Sequence, residues 1–173
     1  NFCDELQHLE FPTNSKLRII EKFAFSESSI QGITVPPTLK LIGEGAFLYC
    51  SEFRMLEIPE NSELETIEER AFCQTSIECI NVPASLVDLR KGWCESTSDL
   101  NKINVDKNNP RYSSYEDKFI IGKTRIDQQN YDVLEFSIRN IETAIIPDFI
   151  KRIESFSFHE SYVEKVIIPP NLI

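Results

Sequence analysis

Seven times this chain repeats one short phrase. An apolar residue is followed by two free positions, an apolar residue, one free position, another apolar residue and then a terminator. The copies are LQHLEFP ending at Pro12, IQGITVP at Pro36, FRMLEIP at Pro59 and IECINVP at Pro83, followed by LNKINVD at Asp106, IETAIIP at Pro147 and VEKVIIP at Pro169. Successive terminators lie 24, 23, 24, 23, 41 and 22 residues apart. Proline ends every copy but one, which has Asp106. The long step is one period plus roughly 18 inserted residues. A fixed period constrains a fold more than composition does. Each unit is too small to bury its own apolar face and must stack on its neighbours.

A second apolar set fills the space between these units. It reads Leu-x-x-Ile-x-x-x-Ala-Phe: Leu17, Ile20, Ala24 and Phe25, then Leu39, Ile42, Ala46 and Phe47, then Leu64, Ile67, Ala71 and Phe72. Ile150, Ile153, Ser157 and Phe158 form a looser copy. In the fourth copy Leu86 and Leu89 fit, but Trp93 and Cys94 replace Ala and Phe, so that turn should be repacked around the indole. The turn after the proline alternates between long and short. PTNSKLRIIEKFAF at Pro12 therefore returns as PENSELETIEERAF at Pro59, two repeats later.

The spacing has a direct physical reading. Alternate apolar positions, as at Ile33 and Val35, mark a strand with one buried face. Proline then removes the next ladder donor and stops the strand. Spacings of three and then four in the second half suit a short helical turn. A period of 20–29 residues carrying this strand rule is the leucine-rich-repeat signature. The expected fold is a solenoid over residues 1–173: one domain of about seven units, the first and last incomplete. A parallel sheet would form its concave face, with short helical turns and loops on the convex face. Ile67 should lie in the core. Cys3 and Cys50, each three residues before a strand unit, should fill a small inward position. Residues 107 to about 137 interrupt the period: NNP at 108–110 is a turn signal, and KFIIG and YDVLEF read as two strands of a hairpin around KTRIDQQN. The hairpin is either a packed staple between repeats or a protruding contact loop.

With these residues placed, the cycle IP…L..I…AF..C..L resembles the BspA-like leucine-rich repeats of the Treponema type. VPPTLKLIGEGAFLYCSEFRMLEIP and IPDFIKRIESFSFHESYVEKVIIP carry the match, and VDKNNPRYSSYEDKFIIG resembles the hairpin-bearing insertion of many members. Here Asp117 precedes Lys118 where the family often has Gly, a departure at the hairpin turn. The resemblance implies a right-handed solenoid of cell-surface or secreted proteins, associated with adhesion to host cells, matrix proteins or other microbes.

Composition removes several other functions. The net charge of −10 disfavours nucleic acid and anionic lipid, both of which attract Lys/Arg surfaces. No apolar run approaches the length of a membrane span, and the first residues carry no basic-then-apolar leader. By sequence alone the chain reads as cytosolic, processed, or excised from something longer; only the resemblance places it at a surface. Five cysteines without a CxxC give no disulfide framework or zinc site. The two histidines, His8 and His159, are far apart, and no catalytic or nucleotide motif is present. Neither an enzyme nor a cofactor is expected.

That leaves a binding module. The free positions of each strand unit should point outward and form columns. They nominate Met55, Glu57, Cys79, Asn81, Lys102, Asn104, Thr143, Ile145, Lys165 and Ile167 as a ligand-contacting face. Ile145 and Ile167 are apolar in an otherwise polar column, which marks either a contact patch or residues covered by a neighbouring element. Cys79 is either a reactive thiol or an unremarkable one. The partner would be a protein of a host cell, matrix or microbial surface. The alternative is a structural spacer or self-assembly segment of a longer repeat protein.

Overall fold

The computed structural model describes residues 5–12, 14–170 and 172. The expectation for Cys3 lies outside them. Fourteen strands follow one another: β1 (Ile19–Ile20), β2 (Gly32–Thr34), β3 (Leu41–Ile42), β4 (Met55–Glu57), β5 (Thr66–Ile67), β6 (Cys79–Val82), β7 (Asp88–Leu89), β8 (Lys102–Val105), β9 (Tyr112–Tyr115), β10 (Phe119–Gly122), β11 (Val133–Ser137), β12 (Thr143–Ile145), β13 (Arg152–Ile153) and β14 (Lys165–Ile167). Each coil of the solenoid contributes to two parallel rows. One row comes from the proline-ended units, β2 with β4, β6 with β8 and β12 with β14. The other comes from the two-residue strands β1, β3, β5 and β7, in which Ile20, Ile42, Ile67 and Leu89 lie in register.

The sheet expected on one face is therefore interrupted. β4 lies beside β6 without a shared ladder, and β8 does not reach β12. The chain returns to its neighbour at Leu100, whose carbonyl accepts the Arg139 N–H at 2.9 Å, and diverges from it afterwards. The insertion fills the gap. It has three strands where two were expected, because Tyr112–Tyr115 also pairs with β10. β10 pairs antiparallel with β11, and β11 then joins β13 in parallel, so the insertion's last strand is itself a rung of the second row. Glu116 and Asp117 make the β9–β10 turn with φ of 52° and 53°, the left-handed pair of a tight hairpin, and the Lys118 N–H closes it on the Tyr115 carbonyl at 3.1 Å. Asn109 fastens the insertion to the preceding coil. Its amide donates to the carbonyls of Pro83 and Leu86, and its oxygen accepts the N–H groups of Arg111 and Tyr112.

The helical turns expected on the convex side are absent: no described residue is helical. Backbone bonding gives the reason. In the coil 21–27 the N–H groups of Phe23, Phe25 and Glu27 donate sideways to the carbonyls of Glu44, Ala46 and Leu48 in the next coil, while Ala24 and Ser26 close tight turns on Glu21 and Phe23. The next two coils repeat this pattern, from Gly45, Phe47 and Tyr49 and from Arg70, Phe72 and Gln74. A helix would have turned these donors along its own axis, at the cost of nucleation over a very short segment. Left-handed residues at Phe23, Glu27, Tyr49, Arg70 and Gln74 let the chain zigzag instead.

The core follows the apolar columns. Ile33, Leu39, Ile42, Ala46, Phe47, Leu64, Ile67, Ala71, Phe72, Ile80 and Leu86 are all buried. Phe25, Phe47 and Phe72 stack, with ring centroids 5.4 Å apart at each step. Trp93 continues that column edge-on to Phe72 and then meets Phe136 of β11. Large and small side chains have thus exchanged places in the fourth coil: the indole fills the Phe column and Cys94 the adjacent small site. Cys50 is fully buried, with its thiol on Ser28 and the Phe25 carbonyl.

Candidate functional site

Strand alternation builds the outward columns. Leu56, Ile80, Ile103 and Ala144 point inward and are buried, so their neighbours on either side face solvent. Met55, Glu57, Asn81, Lys102, Asn104, Thr143, Ile145, Lys165 and Ile167 are exposed, and Cys79 is half-buried. Register brings them together as pairs. Cys79 lies opposite Lys102 and Asn81 opposite Asn104. Thr143 lies opposite Lys165 and Ile145 opposite Ile167. Met55 and Glu57 face Gly32 and Thr34. These are three patches, on β2–β4, β6–β8 and β12–β14; the first two adjoin, since β4 lies beside β6, and the third stands apart beyond the break in the row.

Each patch has its own chemistry. On the first, Thr34 Oγ1 donates to Glu57 Oε2 at 2.7 Å, beside an exposed Met55. On the second, Asn104 Nδ2 donates to Asn81 Oδ1 at 2.8 Å and lies 3.7 Å from Cys79 Sγ. Burial raises the Cys79 thiol pKa, with Lys102 opposing it, so little thiolate forms and the reactive-thiol reading loses support. The third patch is apolar. Ile145 is 60% exposed and Ile167 42%, and no described element covers either.

A second cluster, at the insertion, was not anticipated. Two positions before the first apolar residue of successive strand units stand Ser28, Ser51, Thr75, Ser98, Arg139 and Ser161. An arginine among these hydroxyls, with Asp4 before the first unit the other departure, was the available signal. Arg139 is fully buried, and its guanidinium lies 4.3 Å from the centre of the Phe136 ring. With Glu135, Arg111 and Trp93 it lines a pocket of about 160 Å³ between the turn 90–95 and the turn 154–156. Burial, helped by Glu154, pushes the Glu135 carboxyl up to about 7.

Among the described residues no group of three His, Cys, Asp or Glu side chains could hold a metal, and no helix is long and apolar enough to cross a membrane. Two rows of parallel strands around a stacked apolar core, with non-repeating side chains on the outside, define a repeat solenoid of the leucine-rich type. The model of the BspA type leucine rich repeat region matches residues 1–115 and 126–173 in six copies, and the chain belongs to that family. No curated protein matches. Among solved structures, the pneumococcal vaccine antigen PcpA is 27% identical, with a TM-score of 0.84 over 94% of this chain and 39% of its own. A leucine rich cell surface protein of Faecalibacterium prausnitzii is 17% identical, with a TM-score of 0.71 over 98% of this chain and 56% of its own. A leucine-rich repeat protein of Eubacterium ventriosum is 19% identical, with a TM-score of 0.65 over 92% and 47%. This chain therefore spans less than two thirds of each.

Proposed function

We propose that the chain is a non-enzymatic binding module of a cell-surface or secreted protein, which recognises a protein ligand through the outward columns of its proline-ended strands. One observation carries the reading: Ile145 and Ile167 lie opposite each other in register and both are exposed. Contiguous exposed apolar side chains favour burial against a partner. Similarity to a pneumococcal vaccine antigen and to a cell surface protein of F. prausnitzii supports the location. The polar pairs on β4, β6 and β8 would offer a second, polar contact on the far side of the break in the row. Ile145→Glu combined with Ile167→Glu tests the patch in a pull-down from host-cell or matrix protein. The double variant should fold and lose capture; a folded variant that captures as before removes the patch from the contact surface.

The second reading is a structural or self-associating segment. It rests on the stacking itself: the coil-to-coil ladders that join β2 to β4, β6 to β8 and β12 to β14 are of a kind that can also join one chain to another. Sedimentation velocity at high protein concentration tests it, and a monomer throughout counts against it.

A further inference from the structure

The Arg139 pocket carries chemistry that the strand-face reading does not use. Arg139 stands where the units starting at Ile30, Phe53, Ile77, Leu100 and Val163 have a hydroxyl, and it is fully buried, yet among the described residues its guanidinium has one hydrogen-bond partner: Nη1 donates to the Ser157 carbonyl at 2.9 Å. Its Nε and Nη2 have none. These two atoms form the edge of a guanidinium that grips a carboxylate or another oxyanion with two parallel N–H bonds. No carboxylate of the chain occupies it, although Asp88, Glu95, Glu135 and Glu154 all line the same pocket. Glu95 reaches toward Arg70 and His159, Asp88 is paired with Arg90, and Glu154 with Arg152. Arg111 Nε and Glu135 Oε1, also at this pocket, are likewise without a partner. Buried polar groups are nearly always satisfied, and this guanidinium lies fully buried over the Phe136 ring.

We propose that the pocket bounded by Arg139, Arg111, Glu135, Trp93, Gly92 and Phe156 binds a small oxyanion, best a carboxylate, by a small outward shift of the lining that opens the buried Nε–Nη2 edge of Arg139 to it, with Arg111 as a further donor. The site is independent of the strand face. It lies where the insertion meets the regular coils, so an occupant would tie the two together. Its volume suits a group of a few heavy atoms rather than a protein segment.

Trp93 is the chain's single tryptophan and lines the pocket, so its emission reports occupancy. Sodium acetate and sodium sulfate are titrated separately at constant ionic strength against sodium chloride. A saturable change with acetate is expected, weaker with the tetrahedral anion. Arg139→Lys keeps the charge but loses the two-donor edge and should bind about tenfold more weakly; Arg125→Lys, in the exposed insertion loop, should bind as the parent does. If Arg139→Lys fails to fold, crystals of the parent protein soaked in sodium selenate decide through the anomalous signal at Arg139. A saturable response lost in Arg139→Lys, or a selenium peak on Nε and Nη2, supports the site. No saturable response, an equal response in Arg139→Lys, or ordered water alone on both nitrogens overturns it.

Discussion

Phe156 lies across Gly92: a β-carbon built on the glycine would come 3.1 Å from Phe156 Cδ2. The two residues flank the insertion in sequence and meet in space. They belong to one column of left-handed residues, Phe23, Gly45, Arg70, Gly92 and Phe156, with φ between 55° and 66°. Arg70 shows that this backbone accepts a side chain. Glycine stands where the neighbouring coil places a phenyl ring, and Gly45 is covered by Phe23 in the same way.

Gly45→Ala should therefore cost about 1–3 kcal/mol, from the left-handed backbone together with a β-carbon 2.5 Å from the Phe23 ring. Phe23→Ala in the same chain should recover part of that cost. A double-mutant cycle by urea unfolding measures the coupling; strictly additive effects would show that the ring plays no part.

At β7, in the second row, a buried hydrogen bond ties the regular coils to the insertion. The Leu89 N–H donates to Tyr112 Oη at 3.0 Å, and both residues are buried. Tyr112→Phe leaves that amide unpaired and should cost about 1–3 kcal/mol. Hydrogen exchange should show the Leu89 amide losing protection while Ile42 and Ile67 keep theirs. Unchanged protection at Leu89 would refute the joint.

Glu135 makes stability depend on pH. Its folded pKa of about 7 lies above the ordinary 4.5, so between those values the folded chain holds a proton that the unfolded chain releases. Its contribution is fully present below pH 4.5, declines as pH rises toward 7, and is level above, a loss of up to about 3 kcal/mol. Glu135→Gln should flatten this slope and raise the urea midpoint at pH 8. A variant with the parent's pH profile would contradict the assignment.

The register itself is tested at Ile67, which is fully buried. Ile67→Asn forfeits about 1.5–3 kcal/mol of burial and adds an amide with no partner, so a loss of several kcal/mol is expected in urea unfolding. A loss below about 1 kcal/mol would mean that the column is not the core.

The stacking period was legible because each coil must match its neighbour, which forces Ile20, Ile42, Ile67 and Leu89 to recur at fixed steps. The outward columns were legible because side chains alternate along a strand. The helical turn was not distinguishable. Leu17, Ile20 and Ala24 share a face at helical spacing, but a zigzag with left-handed residues at Phe23 and Glu27 places them together as well. The strand Tyr112–Tyr115 reads YSSY, with no apolar alternation to reveal it. Nor does the period predict where the row breaks, since Leu100 still meets Arg139 and the divergence begins only beyond them. Arg139 itself was visible as a basic residue in a column mostly of hydroxyls, but its meaning depends on burial, which the sequence does not display.

The central claim is that binding belongs to the strand columns and not to the turns. Two matched pairs of exposed apolar residues separate these surfaces: Ile145 with Ile167 on the strands, and Phe23 with Tyr49 on the turns. Each pair is changed to glutamate, folding is verified by circular dichroism, and adhesion to a host-cell or matrix-protein surface is measured side by side. The account predicts that Ile145→Glu with Ile167→Glu lowers adhesion about tenfold or more, while Phe23→Glu with Tyr49→Glu leaves it unchanged. Loss of adhesion in the turn pair, with the strand pair adhering as the parent does, would contradict it.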